Sequence, residues 1–230
     1  MPLKELKEKK PGLLWRPPRD AWICLIVMML SQLLVFDGTH PLLAGREAHL
    51  LETTIDLQIP FVPAWVTVYF LSFLFWFVTV LWILSDSREH AYHFAGAYLI
   101  ALLITGVIYI AYPVTIRRPE IVGSGFFDEW MRFLYWVDTP QNLCPSLHVL
   151  LSYFCWRGTM GCRKIPAWYR WFCLVFLILV CFSVLFVKQH YVIDIAAGIL
   201  VGELALQIAR DVKPERLFSR IEQKLETRKE

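Results

Sequence analysis

The chain has 230 residues, 57% of them hydrophobic and 15% aromatic, with ten tryptophans, whereas soluble domains run at about 45–50% apolar; a water-soluble globular domain is excluded. The formal net charge of +3 is a topology signal and gives no reason to expect a nucleic-acid partner. The six cysteines, Cys24, Cys144, Cys155, Cys162, Cys173 and Cys181, show no paired C-x-x-C spacing, which argues against a disulfide framework or zinc knuckle and leaves them as small apolar fillers.

Residues 1–20, MPLKELKEKKPGLLWRPPRD, form a charged leader expected in the cytoplasm. No small-residue cleavage site follows the first apolar run, so the first span is expected to be retained. Uncharged runs then predict six membrane helices: Ala21–Phe36, Phe61–Leu84, Phe94–Tyr112, Leu143–Trp156, Trp171–Val187 and Tyr191–Ala209, the last interrupted by Asp194 and Glu203. The fourth is short and carries His148. Between the third and fourth, Phe126–Val137 reads as an amphipathic helix at the membrane interface, with Phe126, Trp130, Phe133, Leu134 and Val137 on one side and Asp128, Arg132 and Tyr135 opposite. The loop 37–60 reads only as a cover, and 210–230 as a charged cytoplasmic tail. The expected architecture is an all-α polytopic bundle, one membrane domain over 21–209.

Lys and Arg set the orientation. Eighteen of the twenty-three fall on the side that holds both termini and five on the other, Arg46, Arg117, Arg118, Arg132 and Lys188. Both termini are therefore expected to be cytoplasmic, with 37–60, 113–145 and the 188–190 turn facing outward across the cell membrane. That topology makes three polar stretches meet on the outer side: TIRRP at 115–119, CPSLH at 144–148 and KQHYVID at 188–194.

Ionisable groups in hydrocarbon cost roughly 2.5–3.5 kcal/mol each, so His190 and Asp194 call for a role. Their i, i+4 spacing puts them on one helix face, where the carboxylate can hold one ring N–H and leave the other nitrogen lone pair free. That suits His190 as a nucleophile at phosphorus. His148 suits proton transfer to the leaving alkoxide and later from water. Arg118, Ser146, Lys188 and Arg117 suit neutralising phosphoryl oxygens. A metal site is the rival use of such residues, but no H-E-x-x-H occurs and the neighbouring cations repel a metal ion; no metal and no cofactor are expected. Cys144 as a thiol nucleophile is weaker than its reading as a filler. Glu203, thirteen residues past His190, is expected in an interhelical hydrogen bond near the cytoplasmic half, and Gly198 with Gly202 forms a G-x-x-x-G stripe for close helix packing.

These stretches resemble the three motifs of the type 2 phosphatidic acid phosphatase superfamily, K-x6-R-P, P-S-G-H and S-R-x5-H-x3-D. Arg118 and Pro119 match the first, Pro145, Ser146 and His148 the second, and Ser183, His190 and Asp194 the third, across roughly residues 90–205. The resemblance implies a six-helix, metal-free membrane enzyme whose phosphohistidine intermediate forms at an outward-facing site, acting on a phospholipid or isoprenoid phosphate. Three positions depart from the pattern: Ala111, Leu147 and Val184 stand where the motifs have Lys, Gly and Arg. Lys188, one turn beyond Val184 if that helix continues, and Arg117 are the expected substitutes for the two absent cations. P-S-L-H with a basic residue two before the second histidine also resembles the sphingolipid-synthase branch, including inositol phosphorylceramide synthase, which implies transfer of a phosphoryl head group to an alcohol as the alternative to hydrolysis. An inactive lipid-binding or transport protein is the second alternative.

Overall fold

The computed structural model describes residues 17–226. Most of the leader and the last four residues of the tail, for which a cytoplasmic location is expected, lie outside the described residues. In chain order the elements are α1 (Arg19–Leu43), β1 (His49–Leu50), α2 (Thr54–Gln58), a 3-10 turn (Pro63–Trp65), α3 (Val66–Leu84), α4 (Arg88–Ala111), β2 (Val114–Thr115), α5 (Phe126–Val137), α6 (Leu147–Thr159), α7 (Ala167–Phe186), α8 (Val192–Val212) and α9 (Pro214–Glu226).

Among the described residues, five segments have the length and apolar character to cross a membrane: α1, Pro63–Leu84, α4, α7 and α8. Their outward faces carry large apolar side chains, such as Leu34, Leu103 and Leu200, as lipid-facing helices require. The expected fourth span is different. Pro145 and the Ser146 cap delay its start, and α6 has 13 residues, or about 20 Å at about 1.5 Å per residue, against a hydrocarbon core of roughly 30 Å. It is instead a short buried helix, with Val149, Leu150, Phe154 and Cys155 fully enclosed.

The helices alternate in direction. The C-terminal ends of α1, α4 and α7 meet the N-terminal ends of α3, α6 and α8: the Asn142 amide donates to Phe36 O (2.7 Å), the Tyr109 hydroxyl to Pro145 O (2.9 Å) and Val62 N to Phe186 O (3.0 Å). At the opposite end, Asp86 accepts from Arg163 N (2.9 Å) and Lys164 N (2.8 Å). Glu203 there accepts from the Tyr153 hydroxyl (2.6 Å) and pairs with Arg157 (3.2 Å), the interhelical bond expected of it, though half-buried. Part of the charged tail is a helix: α9 docks on α4 through His93 and Glu215 (3.0 Å) and through Phe218 against Tyr92.

The core centres on Phe94, Tyr98 and Phe154, whose rings meet edge to face at 5.2–5.8 Å. α8 lies against α6 along the glycine stripe. A Cβ on Gly198 would stand 2.9 Å from Ser146 O, and one on Gly202 would stand 2.7 Å from Tyr153 Cδ1. This close approach sets the α8 N-terminus beside the α6 N-terminus. The departure from an all-α plan is minimal: β1 and β2 pair in parallel, His49 with Val114 and Leu50 with Thr115, and tie the cover loop to the segment after α4.

Candidate active site

All three polar stretches reach the same end of the bundle: TIRRP in β2 and the loop after it, CPSLH at the start of α6 and KQHYVID across the turn from α7 to α8. α7 ends in a paired C-terminal cap: Lys188 N donates to Leu185 O (3.1 Å), and Gln189 N (2.9 Å) and His190 N (3.1 Å) both donate to Val184 O. Lys188 occupies the left-handed position of this cap, φ 52°. The helix therefore does not continue one turn past Val184, as the substitution of Lys188 for the motif arginine supposes. Its ammonium instead donates to Asp56 O (3.1 Å) and Ile59 O (2.6 Å), and burial lowers its pKa against the pull of Asp56 and Glu52.

Past the cap, Tyr191 opens α8. Asp194, fully buried, accepts from Tyr191 N (2.9 Å) and faces His190 Nδ1 at 3.3 Å. A carboxylate on that side favours the proton on Nδ1 and leaves the Nε2 lone pair available. The backbone oxygen of Asp194 accepts from Ser146 N (3.0 Å), so the two helix starts are joined directly. Ser146 is the α6 N-cap, its hydroxyl accepting from Val149 N (3.4 Å). It is fully buried.

His148, two residues on, has its ring centroid 5.9 Å from that of His190. It is packed among Tyr69 (4.4 Å), Trp76 (5.3 Å) and Phe73 (6.0 Å), and its Nε2 is buried without a hydrogen-bond partner among the described residues.

Two cavities adjoin this pair, and His190 lines both. One, about 350 Å³, is walled by Arg117, Arg118, Lys188, Glu52 and Tyr191. The other, about 300 Å³, is walled by His148 and mostly by apolar side chains of α1, α3 and α5, including Leu33, Phe36, Phe70, Phe73 and Leu134. Ser146 lines neither. The cations thus sit on one side of His190 and the second histidine on the other.

Arg118 is held by Tyr135 O (3.2 Å), Asp138 O (2.7 Å) and a short hydrogen bond to Gln189 Oε1, with its guanidinium over the Tyr135 ring at 4.4 Å. Burial lowers its pKa while Asp138 raises it, and an arginine stays charged under such a shift. Arg117 is exposed on the cavity wall, its backbone N–H on the Tyr191 hydroxyl at 3.4 Å. Cys144 is pushed up to about 12 by burial and by the neighbouring Asp194 carboxylate, so it is a protonated thiol at neutral pH and a poor nucleophile. Of the three departing motif positions, Val184 and Leu147 are buried and Ala111 is exposed at the end of α4.

Sequence reading missed four residues of this site. Asp138 accepts from Arg118 on its backbone and from the Tyr69 hydroxyl on its side chain, and Gln189, 1% exposed, separates Arg118 from the apolar cavity. Neither has a local sequence signal. Tyr109 holds Pro145 from an otherwise apolar helix, and Asp56 belongs to a capping box, Thr53-x-x-Asp56, that is legible as a helix start.

Five helices able to cross a bilayer, with two histidines, a carboxylate and cations gathered at one end of the bundle, make a polytopic membrane protein with a histidine-centred candidate site. A family model described as the PAP2 superfamily matches residues 47–208. The chain belongs to that superfamily, whose membership points to a lipid phosphatase or phosphotransferase. The matched region extends the motif resemblance back through α3 and the cover loop. No curated protein and no solved structure matches the chain.

Proposed function

We propose that the chain hydrolyses a lipid phosphate ester, of phospholipid or isoprenoid type, through a phosphohistidine on His190 at the outer face of the cell membrane. The observation that carries this reading is the place of His190 between a cation-lined cavity and an apolar one. A lipid phosphate has this polarity. Its phosphoryl group fits among Arg117, Arg118 and Lys188, and its hydrocarbon portion fits the apolar side, where His148 waits with an unpartnered ring nitrogen.

His190 Nε2 attacks phosphorus while Asp194 holds Nδ1–H; the P–O bond to the lipid breaks and the alkoxide takes a proton from His148. His148, now neutral, removes a proton from water, whose oxygen attacks the phosphohistidine. Inorganic phosphate leaves and His190 is restored; because burial and the neighbouring His190 lower the His148 pKa, the protonated form that starts each cycle depends on the anionic phosphoryl group bound beside it. The arginines and Lys188 supply the positive charge that the equatorial oxygens need throughout. Ser146 contributes chiefly by starting α6 at the right place.

The test is acid-labile labelling from ³²P-phosphatidic acid and from ³²P-isoprenyl diphosphate. Wild type and His148→Ala should trap label and His190→Ala should not; His148→Ala should turn over roughly 10²–10⁴-fold more slowly. Labelling that persists in His190→Ala overturns the assignment. Label recovered in an added alcohol instead of as free phosphate assigns the transferase branch.

A further inference from the structure

Asp56 lies 134 positions before His190 in the chain, yet it bonds to the Lys188 side chain on one side of that histidine and to the Val192 backbone on the other. It sits in α2, a five-residue helix of the cover loop, and is 5% exposed. Oδ2 of its carboxylate accepts from Thr53 N (2.8 Å) and the Thr53 hydroxyl (2.6 Å). Oδ1 reaches across to Val192 N at 2.8 Å, the first residue of α8. Its backbone oxygen accepts from the Lys188 ammonium, with Ile59 O as the second acceptor. His190 is midway between those two points of attachment.

The contact to Val192 matters because the first N–H groups of a helix have no partner within it. At the start of α8 two carboxylates divide that demand. Asp194 takes Tyr191 N and faces His190; Asp56 takes Val192 N. Without the Asp56 carboxylate, the part-buried Val192 N–H would lose its acceptor, and the start of α8, which carries Asp194, would lose its tie to the cover loop. Both oxygens of the Asp56 carboxylate are engaged within the protein.

We propose that Asp56 is a positioning residue for the His190–Asp194 pair, its carboxylate holding the α8 N-terminus through Val192 so that Asp194 keeps its place between Tyr191 N and His190. The proposal rests on His190 as the phosphoryl acceptor.

The experiment is rapid-quench capture of the phosphoenzyme from ³²P-phosphatidic acid by the full chain in detergent micelles, comparing wild type, Asp56→Ala and Asp56→Asn. A displaced nucleophile keeps every site competent but slow. The amplitude of capture in Asp56→Ala should match wild type while its rate falls by about 10²-fold, the scale of a misplacement near 1 Å. Asp56→Asn should recover part of the rate, because its carbonyl oxygen still accepts from Val192 N. KM should change less than kcat. A merely structural role predicts the opposite, a reduced amplitude at an unchanged rate, and that result overturns the proposal, as do rates equal to wild type in both variants. Absence of capture in wild type is a different failure: it removes the phosphohistidine reading itself.

Discussion

Lys188 shows how much a single position can be asked to do. Its left-handed backbone, φ 52°, is the cap position at which glycine is usual, and a non-glycine residue there costs on the order of 1–3 kcal/mol. The side chain offsets this by binding two carbonyls of the cover loop. Replacing it by Met or by Gly removes the ammonium equally, so the difference between the two variants isolates the backbone. Lys188→Gly should be more stable than Lys188→Met by about 1 kcal/mol in denaturant unfolding of the solubilised protein; equal stabilities would mean that the turn relaxes once the clamp is gone. The lysine itself was legible from its place beside His190. Its direction was not, because the helix end at Phe186 is set by contacts to Trp65 O and Val62 N from another segment. Gln189 and Asp138 were hidden for the same reason: each owes its role to Arg118, which is distant in sequence.

Among the elements, the G-x-x-x-G stripe of α8 carries the most consequence for the site. Gly198→Ala places a methyl 2.9 Å from Ser146 O, a backbone atom that cannot swing aside, so overpacking of about 1–3 kcal/mol is expected. The shift falls on the junction between Asp194 O and Ser146 N, so activity should fall with stability. Gly106→Ala in α4 is the matched control, since its methyl would meet only Val35 at 3.5 Å, an ordinary contact. Equal behaviour of the two, measured by thermal inactivation and phosphate release, would show that α6 and α8 slide freely. The long helices were legible because apolar runs have no other use at that length, and Phe126–Val137 because its period is unambiguous. α6 starts four residues later than the predicted span and is too short to cross alone, because hydropathy registers burial in protein and burial in lipid alike. The last two turns of α1 lie beyond the predicted span because the uncharged run stops at Asp37; the helix continues through Gly38 and Pro41, and Asn142 donates to Phe36 O beside them.

For the molecule as a whole, alternating helices place the candidate site at one end and both described termini at the other, which is the arrangement the Lys and Arg distribution requires. From the charge asymmetry we propose that the site end faces outward. Gln141 and Arg163 are both exposed and lie at opposite ends of the bundle. In a cysteine-free background, Gln141→Cys should react with an impermeant thiol reagent in intact cells and Arg163→Cys should not; the reverse pattern would turn the site toward the cytoplasm. The cation-lined cavity reaches the surface at Glu52 and Arg117, and the apolar one at Leu33 and Phe73, both about half exposed. On the proposed chemistry the two products therefore have separate doors. Phosphate departs to the aqueous side and the lipid alcohol slips back among its neighbours, so neither blocks the other's exit and the hydrocarbon chain never has to leave the bilayer for a turnover to finish.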